Sequence, residues 1–132
     1  MQGLSHITFI VRDLQRMATF LCEGLGATEV YDSSSKNFSI SREKFFLLGG
    51  VWIAAMQGNP PAERSYQHTA FKIRDGEIAV YRDRLLSLSI EIKPPRDRVE
   101  GEGESLYFYD FDNHLFELHT GTLEQRLRTY SV

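Results

Sequence analysis

An eight-residue pattern occurs twice in this chain. HITFIVRD at 6–13 and HTAFKIRD at 68–75 share His, Phe, Arg and Asp at a constant offset of 62 positions. Each copy alternates β-branched or aromatic residues with others, which reads as a strand. Each is followed by apolar residues at helical spacing: Leu14, Met17, Leu21 and Leu25 after the first, Ile78, Tyr81, Leu85 and Leu88 after the second. Asp13 is placed to cap the first helix and Gly26 to end it. Strand-like runs then follow at 28–31, 38–40, 45–48 and 51–56, with turn formers at 33–37 and 49–50. The second copy leads to a strand around 90–93 and a loop rich in Pro, Arg, Glu and Gly. A hairpin comes next, SLYFYDFDNHLFELHTG at 105–121, turning at 110–113. His114 lies in that turn, where solvation is expected. Thr122 and Gln125 have the spacing of a capping box for a short last helix carrying Leu123 and Leu127.

A matched octapeptide followed by the same element order implies duplication. The expected fold class is α+β: one domain over 1–132 built from two tandem βαβββ modules, 1–62 and 63–132, divided by the polar, proline-containing stretch 57–63. Two such modules joined edge to edge form an open, cup-shaped mixed sheet with the helices on its outer face.

Strand alternation assigns the faces. If Ile7, Phe9 and Val11 pack under the helix, His6 and Thr8 point into the cup. By the repeat, His68 and Ala70 do the same. In the hairpin, Phe116 and Leu118 suit the packed side, leaving Glu117 in the cup with Tyr107. Aligning Thr120-Gly121 with Gln57-Gly58 makes Ala54 the symmetry mate of Glu117. A carboxylate among apolar neighbours is costly to bury without a positive partner. Two imidazoles and that carboxylate supply nitrogen and oxygen ligands suited to manganese, iron, zinc, nickel or cobalt, with positions left open for substrate. A single strand histidine is more often a hydrogen-bonded core residue, but folding alone does not require two inward imidazoles at matched positions. His119 shares the face of Glu117 and is a rival ligand or a supporting group. Glu43, read from pattern alone, is a surface charge paired with Arg42 or Lys44.

The formal net charge is −3 and there is no basic run, which argues against a nucleic-acid partner. No stretch has the roughly 20 apolar residues of a membrane span, and the N-terminus lacks the pattern of a signal peptide. Cys22 is the only cysteine, so neither an intrachain disulfide nor a thiolate metal cluster can form. A cytoplasmic protein is the expectation.

The segments GLSHITFIVRDL, FSISREKFFLLGGVWIAAMQG, ERSYQHTAFKI and RVEGEGESLYFYDFDNHLFELHTGTLEQRL carry a family resemblance over nearly the whole chain. They resemble the vicinal oxygen chelate superfamily, with its glyoxalase/bleomycin-resistance-like fold. Within it they are most similar to the fosfomycin resistance proteins of the FosX type, which hydrate the epoxide. The resemblance implies Mn²⁺, or another divalent metal, on His6, His68 and Glu117. It implies Glu43 as general base, and Thr8, Trp52, Tyr107 and Arg126 lining the site for a small phosphonate epoxide. It leaves the phosphonate-binding cation open among Lys93, Arg96 and Arg98. It also implies a homodimer with paired modules, in which His6 meets His68 and Glu117 across the two chains. Thiol-transferase relatives carry potassium ligands in the loop before the hairpin. Val99 and Gly101 here offer no side-chain oxygen, which weakens the thiol-transfer alternative. A drug-sequestering binding protein is the other alternative.

Overall fold

A computed structural model describes residues 1–131. The elements run β1 (His6–Val11), α1 (Leu14–Thr19), β2 (Thr28–Asp32), β3 (Glu43–Leu48), β4 (Val51–Gln57), β5 (His68–Lys72), α2 (Ile78–Ser87), β6 (Ser105–Tyr109), β7 (Leu115–His119) and α3 (Leu123–Tyr130). The chain divides into two compact units. Unit one comprises Met1–Arg64 and Asp110–His114, and unit two comprises Ser65–Tyr109 and the chain from Leu115 onward.

In unit one the strand order is β1-β4-β3-β2, with β1 parallel to β4 and the other neighbours antiparallel. The register sets three rows across one face: His6–Trp52–Leu47, Thr8–Ala54–Phe45 and Ile10–Met56–Glu43. The opposite face carries Phe9, Val11, Phe46, Ile53 and Ala55, all buried. Helix α1 packs on β3 and β4 and contributes buried Leu14 and Met17. Each such apolar side chain withdrawn from water contributes roughly 1.5–3 kcal/mol. Asp13 caps α1 as expected, its Oδ1 accepting from the backbone N–H groups of Gln15 (3.0 Å) and Arg16 (3.1 Å). The helix continues at Phe20–Gly24 as a π-helical turn, and Gly26 follows it at φ +82°.

The turn of the second hairpin belongs to unit one. Asp110 Oδ1 accepts from the N–H groups of Asp112 and His114, each at 2.9 Å, and Asn113 takes a left-handed φ of +68°. His114 is not solvated as expected. Its Nδ1 lies 2.7 Å from Asp110 Oδ2 and its ring meets Phe9 edge-on at 5.1 Å. The Asp110 carboxylate gives the imidazole a hydrogen-bond partner, so it can leave water without an unsatisfied N–H.

In unit two the strand order is β5-β7-β6, β5 parallel and β6 antiparallel to β7. Phe116 stacks between Phe71 (6.4 Å) and Phe108 (5.9 Å) on one face, beside buried Leu106 and Leu118. The other face carries the rows His68–Leu115–Tyr109, Ala70–Glu117–Tyr107 and Lys72–His119–Ser105. Helix α2 packs on β6, and α3 starts with the expected capping box of Thr122 and Gln125.

Each unit builds a mixed hydrogen-bonded sheet of its own, of four and three strands, in the expected α+β class. Two expected strands are corrected. Residues 38–40 bend instead of pairing, and Phe38 and Ile40 are exposed. The strand around 90–93 shrinks to one bridge, Ile92 to Phe108. Pro94 and Pro95 follow immediately, and neither has an N–H to extend a ladder. Among the described residues no helix is long and apolar enough to cross a membrane.

Candidate metal centre

The face of unit two that carries Glu117 brings an imidazole and a carboxylate together. His68 Nδ1 lies 2.7 Å from the backbone carbonyl oxygen of Tyr66. A carbonyl only accepts, so Nδ1 holds the proton and donates it. In the neutral ring, Nε2 then carries a lone pair, and it lies 3.1 Å from Glu117 Oε1. Two acceptors at that separation repel unless a proton or a metal cation stands with them. Imidazole nitrogen with carboxylate oxygen is a donor set for a borderline divalent ion, so these residues fit one. Tyr66 also stands edge-on to the His68 ring at 5.0 Å. A backbone carbonyl fixing the tautomer of a metal-binding histidine is a common supporting arrangement.

Glu117 is 5% exposed. The Ser105 hydroxyl donates to its Oε2, and Arg98 Nη2 lies 3.7 Å from the same oxygen. That Nη2 is buried and has no hydrogen-bond partner among the described residues. Arg98 Nη1 reaches Glu102 Oε1 at 3.4 Å. Glu102, 1% exposed, also takes Arg96 Nη2 (2.6 Å), the Val99 N–H (2.9 Å) and the Tyr130 hydroxyl (3.1 Å). The Arg96 guanidinium, then the Val99 N–H, pull its carboxyl down to about 2.

Tyr107 sits beside Glu117 in the same row. Burial, then the Tyr66 hydroxyl at 3.4 Å, push its phenol up to about 12, so it stays a donor. Arg126, at the second turn of α3, places Nη2 3.4 Å from His119 Nε2 and 4.0 Å from Glu102 Oε1. Burial lowers the proton affinity of His119. Two cavities border this face. One of about 350 Å³ is lined by Lys93, Arg96, Arg98, Ser105 and Tyr107. The other, about 340 Å³, is lined by His68, Glu117, His119 and Arg126. Of the three candidate cations, Arg98 stands against Glu117, while Lys93 lies over the rings of Tyr66 (5.4 Å) and Tyr109 (5.9 Å).

Unit one carries the other expected residues on a single sheet face. The His6 ring stacks on Trp52 at 4.2 Å, and its Nδ1 lies 2.9 Å from Ser5 Oγ. Trp52 also meets Phe45 edge-on at 5.2 Å and is 36% exposed, so it is not a core residue. Thr8 is exposed in the next row. Glu43, two residues from Phe45, is buried at 8% exposure on that face. It is not a surface charge paired with Lys44. Lys44 turns to the opposite face and pairs with Glu29 (2.8 Å) and Asp32 (3.3 Å). Thr8 pairs with Ala54 in unit one as Ala70 pairs with Glu117 in unit two, so Ala54 and Glu117 occupy matched positions. Among the described residues no set of three His, Cys, Asp or Glu side chains is placed to hold a metal ion.

Sequence reasoning missed Tyr66, Arg98 as the cation nearest Glu117, and Glu102. Alternation around Glu117 puts Ser105 on the right face. Nothing local marks Glu102, whose partners lie up to 28 residues away.

The family model for the Glyoxalase/Bleomycin resistance protein/Dioxygenase superfamily matches residues 3–118. The chain belongs to that superfamily. It is 58% identical to the fosfomycin resistance protein FosX of Listeria monocytogenes, over 97% of this chain and 96% of the relative. It is 60% identical to FosX of Mesorhizobium japonicum, over 96% and 91%. It is 35% identical to the metallothiol transferase FosB of Shouchella clausii, over 97% and 86%. A solved structure of a Listeria monocytogenes FosX variant complexed with Mn(II) and 1S,2S-dihydroxypropylphosphonic acid superposes with a TM-score of 0.90. It is 53% identical, covering 98% of both chains.

Proposed function

We propose that this protein hydrates the epoxide of fosfomycin to a diol and so confers resistance, with Mn²⁺ as its metal. The FosX relatives at 58–60% identity and the Mn(II)–diol complex of one of them support this reading. The observation in this chain that carries it is His68 Nε2 facing Glu117 Oε1 at 3.1 Å, with Nδ1 of the same ring turned to the Tyr66 carbonyl. In this reading His68 and Glu117 hold the metal together with His6 of a second subunit, in a homodimer with paired modules. The exposed apolar side chains Leu4, Phe38, Ile40, Leu123 and Leu127 support a second copy as the partner. A cytoplasmic location fits the single free cysteine.

An ion held by His68 and Glu117 would supply Lewis acidity for opening the epoxide. Glu43 takes the proton from the attacking water as its oxygen bonds to an epoxide carbon, a contribution of about 10²–10⁴-fold for a positioned base. The C–O bond to the oxirane oxygen breaks, and that oxygen takes a proton from solvent to give the second hydroxyl, while Glu43 returns the proton it received to solvent. Tyr107, held protonated, donates a hydrogen bond to the ligand. Arg126 and Arg98, whose buried Nη2 has no hydrogen-bond partner among the described residues, face the phosphonate through charge-assisted hydrogen bonds. Thr8 and Trp52 line the approach.

The test is product analysis by ³¹P NMR, with protein, Mn²⁺ and fosfomycin, with and without glutathione or bacillithiol. Diol formation without thiol is expected. A thiol adduct formed only when thiol is present moves the protein to the transferase reading. Loss of antibiotic signal with no product, stoichiometric with protein, indicates sequestration.

A further inference from the structure

We infer that His119 is a positioning residue that ties Arg126 to Glu117 through one directed hydrogen-bond chain, and that this chain fixes both ends of the site. The inference rests on the metal-dependent fosfomycin reading for its function, but its geometry stands within unit two alone. The direction of each bond follows from what each group can donate. The Glu117 carboxylate only accepts, so the Ser105 hydroxyl spends its single proton on Oε2. Ser105 Oγ lies 2.7 Å from His119 Nδ1 and has only lone pairs left for it. Nδ1 therefore carries the ring proton. Nε2 then presents a lone pair, and Arg126 Nη2, which can only donate, lies 3.4 Å from it. The order is Arg126 to His119 to Ser105 to Glu117, each donating to the next.

This assignment removes His119 as a rival metal ligand, because a cation already faces its only lone pair. It also gives Glu117 a fixed orientation: Oε2 is held by Ser105, which leaves Oε1 toward His68. The imidazole is wedged in place by backbone. A Cβ at Gly121 would lie 2.6 Å from His119 Nε2 and 2.7 Å from the Glu102 carbonyl oxygen. A Cβ at Gly103 would lie 2.7 Å from the Gly121 nitrogen and 3.3 Å from His119 Cε1. Gly103 also has φ +86°, which favours glycine. The strand end and the loop are laced together beside the ring, the Glu104 N–H donating to Thr120 Oγ1 at 2.9 Å and the Thr120 N–H to the Glu104 carbonyl at 3.0 Å. Two glycines thus buy the close approach that locks one rotamer of His119.

Two substitutions separate the ends of the chain. In His119→Asn the amide nitrogen takes the place of Nδ1, keeping the donor to Ser105 and losing the acceptor for Arg126. In His119→Gln the amide oxygen takes the place of Nε2, with the opposite result. Mn²⁺ affinity is measured by titration calorimetry on the full-length protein. Affinity for 1S,2S-dihydroxypropylphosphonic acid is measured with the metal saturating. The Asn variant should hold Mn²⁺ within about twofold of wild type and bind the phosphonate roughly tenfold more weakly. The Gln variant should lose about tenfold in Mn²⁺ affinity and keep phosphonate affinity, outer supporting partners being worth about 10–100-fold. Equal losses of both affinities in both variants, or no loss in either, would overturn the inference. In the metal-free wild-type protein, ¹⁵N NMR of the His119 ring should show Nδ1 protonated and Nε2 bare, and an Nε2–H ring would overturn it. Failure of the wild-type protein to produce diol counts against the functional reading instead, since the ring tautomer is read without metal or substrate.

Discussion

Gly121→Ala tests how tightly the site is built. The new methyl carbon would stand 2.6 Å from His119 Nε2 and 2.7 Å from the Glu102 carbonyl oxygen. Non-bonded carbon contacts settle near 3.5 Å, so both neighbours must retreat by roughly 0.8–0.9 Å. The carbonyl is backbone, and the loop bearing it already touches Gly121 through Gly103. The ring is the softer neighbour, but its retreat breaks the 3.4 Å contact with Arg126. Overpacking of this kind costs about 1–3 kcal/mol. For a chain of this size that is a fall in Tm of roughly 3–10 °C. A hydrogen bond to a charged group contributes about 1.5–3 kcal/mol. With Arg126 released, KM for fosfomycin should therefore rise by about tenfold or more. Thermal unfolding followed by circular dichroism and steady-state kinetics read the two effects. A Tm within one degree of wild type together with an unchanged KM would refute the close packing on which the reasoning depends.

Further perturbations address other parts of the molecule. Glu43→Gln should keep Mn²⁺ affinity and lower kcat by about 10²–10⁴-fold; unchanged turnover removes Glu43 as the base. Glu102→Gln should loosen the loop bearing Arg96 and Arg98 and flatten the acid limb of stability. The carboxyl of Glu102 sits at about 2 when folded against its usual 4.5. The unfolded chain therefore binds the extra proton first, and stability present above 4.5 is lost as pH falls toward 2. Acid titration of both proteins should show a shallower decline in the variant over that window, and identical profiles contradict the assignment. Asp13→Ala removes the acceptor for two N–H groups of α1 and should cost about 1 kcal/mol in urea unfolding, with kinetics unchanged. A loss under a few tenths would mean that the cap contributes little.

Much of this was legible in the sequence, because the repeat fixes which residues share a face. Matching HITFIVRD with HTAFKIRD puts His6 and Thr8, His68 and Ala70 on equivalent faces, and matching Thr120-Gly121 with Gln57-Gly58 makes Ala54 the mate of Glu117. The structure adds the register, Thr8 with Ala54 and Ala70 with Glu117. The caps at Asp13 and Thr122 were legible because each is a local rule satisfied within three residues. What was not legible depends on partners far along the chain. Phe38 and Ile40 have the composition of a strand but lie in a bend, outside any ladder among the described residues. Glu102 looks like any loop carboxylate until Arg96, Arg98 and Tyr130 close on it. His114 looked solvated because the Phe9 ring that covers it is about a hundred residues away in the chain.

The most direct test is an anomalous difference map from crystals grown with Mn²⁺. A single strong peak is expected, bonded to His68 Nε2 and Glu117 Oε1, with a His6 ring nitrogen from the second subunit as the third protein ligand. A peak bonded to neither His68 nor Glu117, or one bonded to both with His6 far away in every subunit, would contradict that ligand set.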